Sequence, residues 1–214
     1  MYMKSAYLLS IFVLALVAIP VSPLSAAKDI GNLIYNSSFE EIGPNGDPVG
    51  WLRGGYGNNT SSHEVIPCPI YTGFRPTCPE GISYALRTSI GNYVDGDTKW
   101  YFADVPIKGN KSYTLSYQYQ ARVFWASSQT IARYKFKDGS YQYELIDSPL
   151  PAEPGGNGYL PWIKATNKIN PPKNAVSFTI FFALNKYGVC YISCTEPREG
   201  GSLMISDVDL RVNR

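Results

Sequence analysis

Between residues 112 and 123 the side chains alternate without a break. Tyr113, Leu115, Tyr117 and Tyr119 fall on one side, and Thr114, Ser116, Gln118, Gln120 and Arg122 on the other. Successive side chains of a strand point to opposite faces, whereas a helix repeats every 3.6 residues, so a period of two predicts a half-buried strand. Beyond residue 27 no segment sustains a helical period. Gly and Pro interrupt the chain at short intervals, which is the pattern of an all-β, antiparallel sandwich. The chain has 17 Tyr, 9 Phe and 4 Trp, residues that suit strands. The surplus of Tyr and Trp over Phe points to faces where a ring stacks while its polar tip stays wet.

Residues 1–27 read as a signal peptide. Lys4 precedes an apolar run over residues 6–19, and Ser25, Ala26 and Ala27 are the small residues a signal peptidase requires, so cleavage after Ala27 and export are expected. A membrane anchor is the other reading, but the run falls short of the roughly 20 residues of a spanning helix and is broken by Pro20 and Pro23. What remains, residues 28–214, is the length of one domain. The formal charge of the whole chain is +2, too small a field to imply nucleic acid or an anionic membrane as partner.

Cys68, Cys78, Cys190 and Cys194 form an even set, and in an exported chain disulfides come before metal ligands. Three pairings are open. The local pairs Cys68–Cys78 and Cys190–Cys194 are favoured because turn-forming residues separate each. The spacing fits no common zinc pattern, and His63 is the single histidine.

Strands are expected over residues 34–39, 83–88, 100–107, 112–123, 133–137, 141–145 and 177–184. Asp138-Gly139 marks a tight hairpin turn, and residues 100–107 and 112–123 read as a second hairpin about the turn at 108–111. Pro67, Pro69, Pro76 and Pro79 make residues 63–81 a surface excursion, since proline cannot donate to a central ladder. Residues 147–161 form a long Pro/Gly-rich loop.

Several short motifs, in order, resemble carbohydrate-binding modules of the families four and nine type, which are galactose-binding domain-like jelly rolls. They are Asn32-Leu33-Ile34-Tyr35-Asn36-Ser37-Ser38-Phe39-Glu40 at the opening, Gly46-Asp47-Pro48-Val49-Gly50-Trp51, and Ala85-Leu86-Arg87 after Gly81. The Trp162, Thr166 and Pro171-Pro172-Lys173-Asn174-Ala175 stretch follows, and Ile205-Ser206-Asp207-Val208-Asp209-Leu210 closes the chain. The resemblance implies that the opening and closing strands are neighbours, that Trp51 is a core anchor, and that β-glucan or xylan chains bind on a concave sheet face. It also implies a structural Ca2+ near Glu40 and Asp207, whose hard oxygens suit that ion.

A saccharide groove needs planar polar side chains with fixed forks and a ring on which a sugar can stack. Arg87, Gln118, Gln120 and Arg122 supply the forks. Trp125, which follows the stripe directly, is the preferred ring, with Trp100 and Tyr101 as alternatives. A catalytic role finds little support: His63 lies beside Ser61 and Ser62, but no nucleophile-elbow pattern accompanies them. Sequons at Asn36, Asn58, Asn59 and Asn110 are compatible with glycosylation of an exported protein. The expected function is therefore a secreted, non-catalytic protein that binds a polysaccharide or cell-surface glycan. The alternative is a structural or adhesive surface protein that uses the same sandwich for protein contacts.

Overall fold

The computed structural model describes residues 31–68, 71–72, 75–76, 78–79, 81–123, 126–150, 161–186 and 200–213. The expected leader, Trp125, Cys190 and Cys194 lie outside the described residues. Twelve strands and no helix are found among those described: β1 Trp51–Tyr56, β2 Thr60–Pro67, β3 Tyr71–Thr72, β4 Arg75–Pro76, β5 Tyr84–Gly91, β6 Asp97–Pro106, β7 Tyr113–Val123, β8 Ala126–Phe136, β9 Tyr141–Asp147, β10 Ile163–Ile169, β11 Ala175–Lys186 and β12 Gly201–Val212. One sheet has the order β1-β6-β11-β8-β9 and the other β10-β7-β12-β5-β2, with every pairing antiparallel. The expected β-sandwich is the observed architecture.

The alternation that defined β7 sets its inner face. Tyr113, Leu115, Tyr117, Tyr119 and Ala121 are buried, and Leu115 and Tyr117 are wholly so. From the opposite sheet Phe178, Ile180, Phe182 and Leu184 of β11 meet them, each at most 1% exposed, and burying each such side chain contributes about 1.5–3 kcal/mol. Tyr117 and Phe182 touch edge to face across the gap, with ring centroids 4.9 Å apart.

Trp51 closes the same core at one end. It packs edge-on against Phe39 at 4.9 Å and Phe102 at 5.5 Å, and its indole N–H donates to the Asn36 carbonyl at 3.2 Å.

Two expected elements differ in the structure. Residues 34–39 form a run of turns rather than a strand, with Asn36 and Phe39 at φ 50° and 64°. The Asn36 side chain explains the turns: its amide donates to the Glu41 and Val49 carbonyls, and its oxygen accepts the Glu41 N–H. An amide with both hydrogens so used is a staple. The opening still lies beside the closing strand, because Leu33 N–H donates to Leu210 O at 2.8 Å and Asn32 exchanges hydrogen bonds with Val208 and Leu210.

The second difference is the supposed hairpin of residues 100–107 and 112–123. Its strands β6 and β7 lie in opposite sheets. Both carry one apolar face, and the turn at Pro106 to Lys111 lets those faces meet across the core instead of pairing edge to edge. The Asp138-Gly139 turn does form the expected hairpin, β8 with β9. The edge strand of residues 60–67 runs into the proline-rich excursion, with Pro67 at its last position.

Cys68 and Cys78 form the expected local disulfide, with Cα atoms 5.7 Å apart.

His63 joins the two sheets from the inside. Its Nε2 lies 3.1 Å from the Lys99 carbonyl and 3.1 Å from Thr98 Oγ1, which in turn meets Thr88 Oγ1 at 2.9 Å. A carbonyl only accepts, so Nε2 carries the proton. Burial holds the imidazole below its usual value of 6.5, against the opposing pull of the Lys99 carbonyl. The unfolded chain therefore takes up the proton first as the pH falls. The stability contribution is whole above about pH 6.5 and is lost below it. Thermal melts from neutral to mildly acidic pH should show this fall, and His63→Gln should flatten it.

Candidate functional site

Each sheet turns one face away from the core, and the two faces differ in chemistry. The second sheet carries the polar stripe. Gln120 pairs with Met204, Met204 with Arg87, and Arg87 with Glu64, so these four residues run in a line across β7, β12, β5 and β2. Gln118 lies one row along, opposite Ser206, and Arg122 one row the other way, opposite Ser202. The four polar residues picked from the sequence thus share one face. Arg87 forms an ion pair with Glu64, while its Nε and the Ser206 hydroxyl are buried without a hydrogen-bond partner. Gln118 is half-buried, so the stripe is partly closed to solvent.

The first sheet presents rings. Leu52 pairs with Tyr101, Tyr101 with Phe181, Phe181 with Ile131, and Ile131 with Leu145, an apolar row that crosses all five strands. Tyr101 and Phe181 have ring centroids 5.3 Å apart. Along the β9 edge Tyr141 and Tyr143 stand opposite Lys135 and Arg133, and at the other edge Tyr56 stands opposite Asp97. Tyr56, Tyr141 and Tyr143 are 69%, 50% and 63% exposed.

Two cations lie among these rings. The Lys99 ammonium sits 5.5 Å from the Tyr56 ring and 5.9 Å from the Phe181 ring, and the Arg133 guanidinium 4.8 Å from Tyr141 and 5.4 Å from Phe181. Both charged heads lie over Phe181, which is 8% exposed. Amide and hydroxyl groups complete the face: Ser127 Oγ donates to Asn185 Oδ1 at 2.6 Å, and Asn185 Nδ2 to Gln129 Oε1 at 2.5 Å.

Backbone geometry fixes the Tyr56 end of this platform. Gly57 and Gly96 both have positive φ, and a Cβ on Gly96 would sit 1.8 Å from the Tyr56 carbonyl oxygen. No other residue allows β1 and β6 to approach so closely there.

Of the rings weighed from the sequence, Trp100 is core. It is 1% exposed and its indole N–H donates to the Arg87 carbonyl at 2.9 Å, so it braces the two sheets from within. Tyr101 lies on the aromatic face. Glu40 is exposed and accepts the Ser83 hydroxyl at 3.0 Å. Asp207 is exposed at a bulge in β12 with φ 50°. Among the described residues no three His, Cys, Asp or Glu side chains converge.

No family model matches the sequence, and no curated protein matches it. Solved structures do. The CBM22-1 xylan-binding domain from Paenibacillus barcinonensis is similar over 85% of this chain and 95% of its own length, with a TM-score of 0.50 at 13% identity. In fold, the chain is like a β-sandwich carbohydrate-binding module. The tandem CBM22-1–CBM22-2 structure from the same source gives a TM-score of 0.50 at 14% identity, over 83% of this chain and 45% of the other. The enzymatically active domain of bacteriophage CBA120 tailspike protein 4 is similar over 85% of this chain, with a TM-score of 0.57 at 11% identity, and this chain spans 21% of its length. The module-like sandwich has two outward faces, and only the polar one was picked out in the sequence. The aromatic one draws its side chains from β1, β6, β8, β9 and β11, whose registers no short motif records. Its one local signal was the alternation of Tyr141, Tyr143 and Leu145 after the Asp138-Gly139 turn.

Proposed function

We propose that this is a secreted, non-catalytic carbohydrate-binding protein whose saccharide lies across the outer face of the first sheet. The row of rings carries this reading, since sugar rings stack on aromatic faces while their hydroxyls bond to amides and charged forks. Support for export comes from the leader pattern and from the Cys68–Cys78 disulfide, because such bonds persist in oxidising compartments. The xylan-binding neighbour adds the fold-level analogy. The polar face with Arg87, Gln118, Gln120 and Arg122 is the second candidate, favoured by the orphaned Arg87 Nε and Ser206 hydroxyl.

A glycan array probed with the residues 28–214 protein is the test, repeated with Tyr143→Ala and with Gln120→Ala. Loss of signal in the first variant alone assigns the aromatic face, and loss in the second alone assigns the polar one. No signal on any glycan, together with self-association, overturns the reading in favour of a surface protein that uses the apolar row for protein contacts.

A structural calcium ion held by the Glu40 and Asp207 carboxylates with backbone oxygens belongs to the same proposal. Calcium at about 100 times its Kd should then stabilise the fold by about 2.7 kcal/mol. A chelator should reverse the gain, and Glu40→Gln should abolish it.

A further inference from the structure

The two cations of the aromatic face are held differently. Lys99 is neutralised on the spot, with both Asp97 carboxylate oxygens 2.6 Å from its ammonium. Arg133 has no such partner. Its Nη2 donates to the Thr179 hydroxyl at 3.2 Å, and its Nε is buried with no hydrogen-bond partner. Among the described residues no carboxylate lies within ion-pair distance of it.

The acids nearby in sequence or register are engaged elsewhere. Glu144 pairs with Ala132, which puts it on the opposite side of the sheet, where it accepts the Tyr134 hydroxyl at 2.6 Å. Asp104, exposed at the β6 bulge, meets the same Thr179 hydroxyl through its backbone N–H at 3.5 Å, and its carboxylate makes no ion pair among the described residues. Lys135 stands two residues along β8 on the same face and adds a second positive charge without an acid opposite, its neighbours in register being Ser177 and Tyr141.

A guanidinium fork matches a carboxylate with two parallel hydrogen bonds, and the low dielectric among stacked rings strengthens them. Neutral hydroxyls would use such a fork less fully.

We infer that the face reads a carboxylate-bearing saccharide, with the Nη1–Nη2 edge of the Arg133 guanidinium taking the carboxylate of a uronic acid residue whose ring lies against Tyr143. This rests on the reading of the first sheet as the sugar face. Lys135 would add attraction without the directional fork.

Polygalacturonate, alginate and glucuronoxylan, each compared with its own methyl-esterified form by titration calorimetry, test the inference while the sugar backbone stays the same. At least one acid form should bind about tenfold or more tightly than its ester. Arg133→Gln should erase that preference, so that acid and ester bind alike, and Arg133→Lys should retain only part of it. The inference is overturned if every acid form binds no better than its ester, or if Arg133→Gln keeps the preference. Esters that bind as well as acids leave the carbohydrate-binding proposal standing, whereas no binding of any polymer, charged or neutral, removes both.

Discussion

Replacing Trp51 with Ala is expected to destabilise the fold by about 3–5 kcal/mol, the range for deleting a large ring from a packed core. The side chain is 2% exposed and holds Phe39, Phe102 and Phe182 together at centroid distances of 4.9, 5.5 and 6.2 Å. Its loss also leaves the Asn36 carbonyl without the indole donor. Folds of this kind are stable by only about 5–15 kcal/mol. Denaturant melts should show the midpoint falling steeply, and Trp51→Phe, which keeps a ring but not the N–H, should fall between. A midpoint within error of the parent would mean that the opening turns do not depend on this ring.

The second large effect is on binding. Tyr141→Ala combined with Tyr143→Ala should lower polysaccharide affinity by on the order of 10- to 100-fold, about 1.4–2.8 kcal/mol for the two rings together. Both rings are at least half exposed and belong to the edge strand β9, so the melting temperature should hardly move. Affinity gels with soluble polysaccharide, run beside a thermal scan, separate the two quantities. Retained affinity in the double variant would transfer the site to the polar face of the second sheet.

Strand identity was largely legible in the sequence because it is a local property. The period of two in residues 113–121, the Phe178, Ile180, Phe182 and Leu184 series, and the Asp138-Gly139 turn each specify an element without reference to any other. Pairing was less legible. The strands β6 and β7 are consecutive and separated by a short turn, which fits a hairpin as well as a crossing between sheets, and only the packing of their apolar faces decides between them. Residues 34–39 carry strand-forming side chains, yet three hydrogen bonds from one Asn36 amide outweigh propensity. The candidate site was half legible for the same reason. Arg87, Gln118, Gln120 and Arg122 meet on one face because strand alternation alone puts most of them there. Tyr56, Tyr101, Phe181, Arg133 and Tyr143 come together only through four separate registers, and β11, at the centre of that sheet, is nearly continuously apolar and so hides its outward Phe181.

The hydrogen bonds of Asn32 and Leu33 to Val208 and Leu210, with Ser37 accepting from Val208 further in, align the opening and closing segments head to tail, with residues 31 and 213 on the same side. Tension applied through the two flanks of the sandwich would meet these contacts one after another, as a zip does, and not all at once as in a lap joint. A chain pulled this way would release its first few residues at low force. The remaining sandwich, with the ring platform on the far sheet, would stay intact, and the freed residues would act as slack.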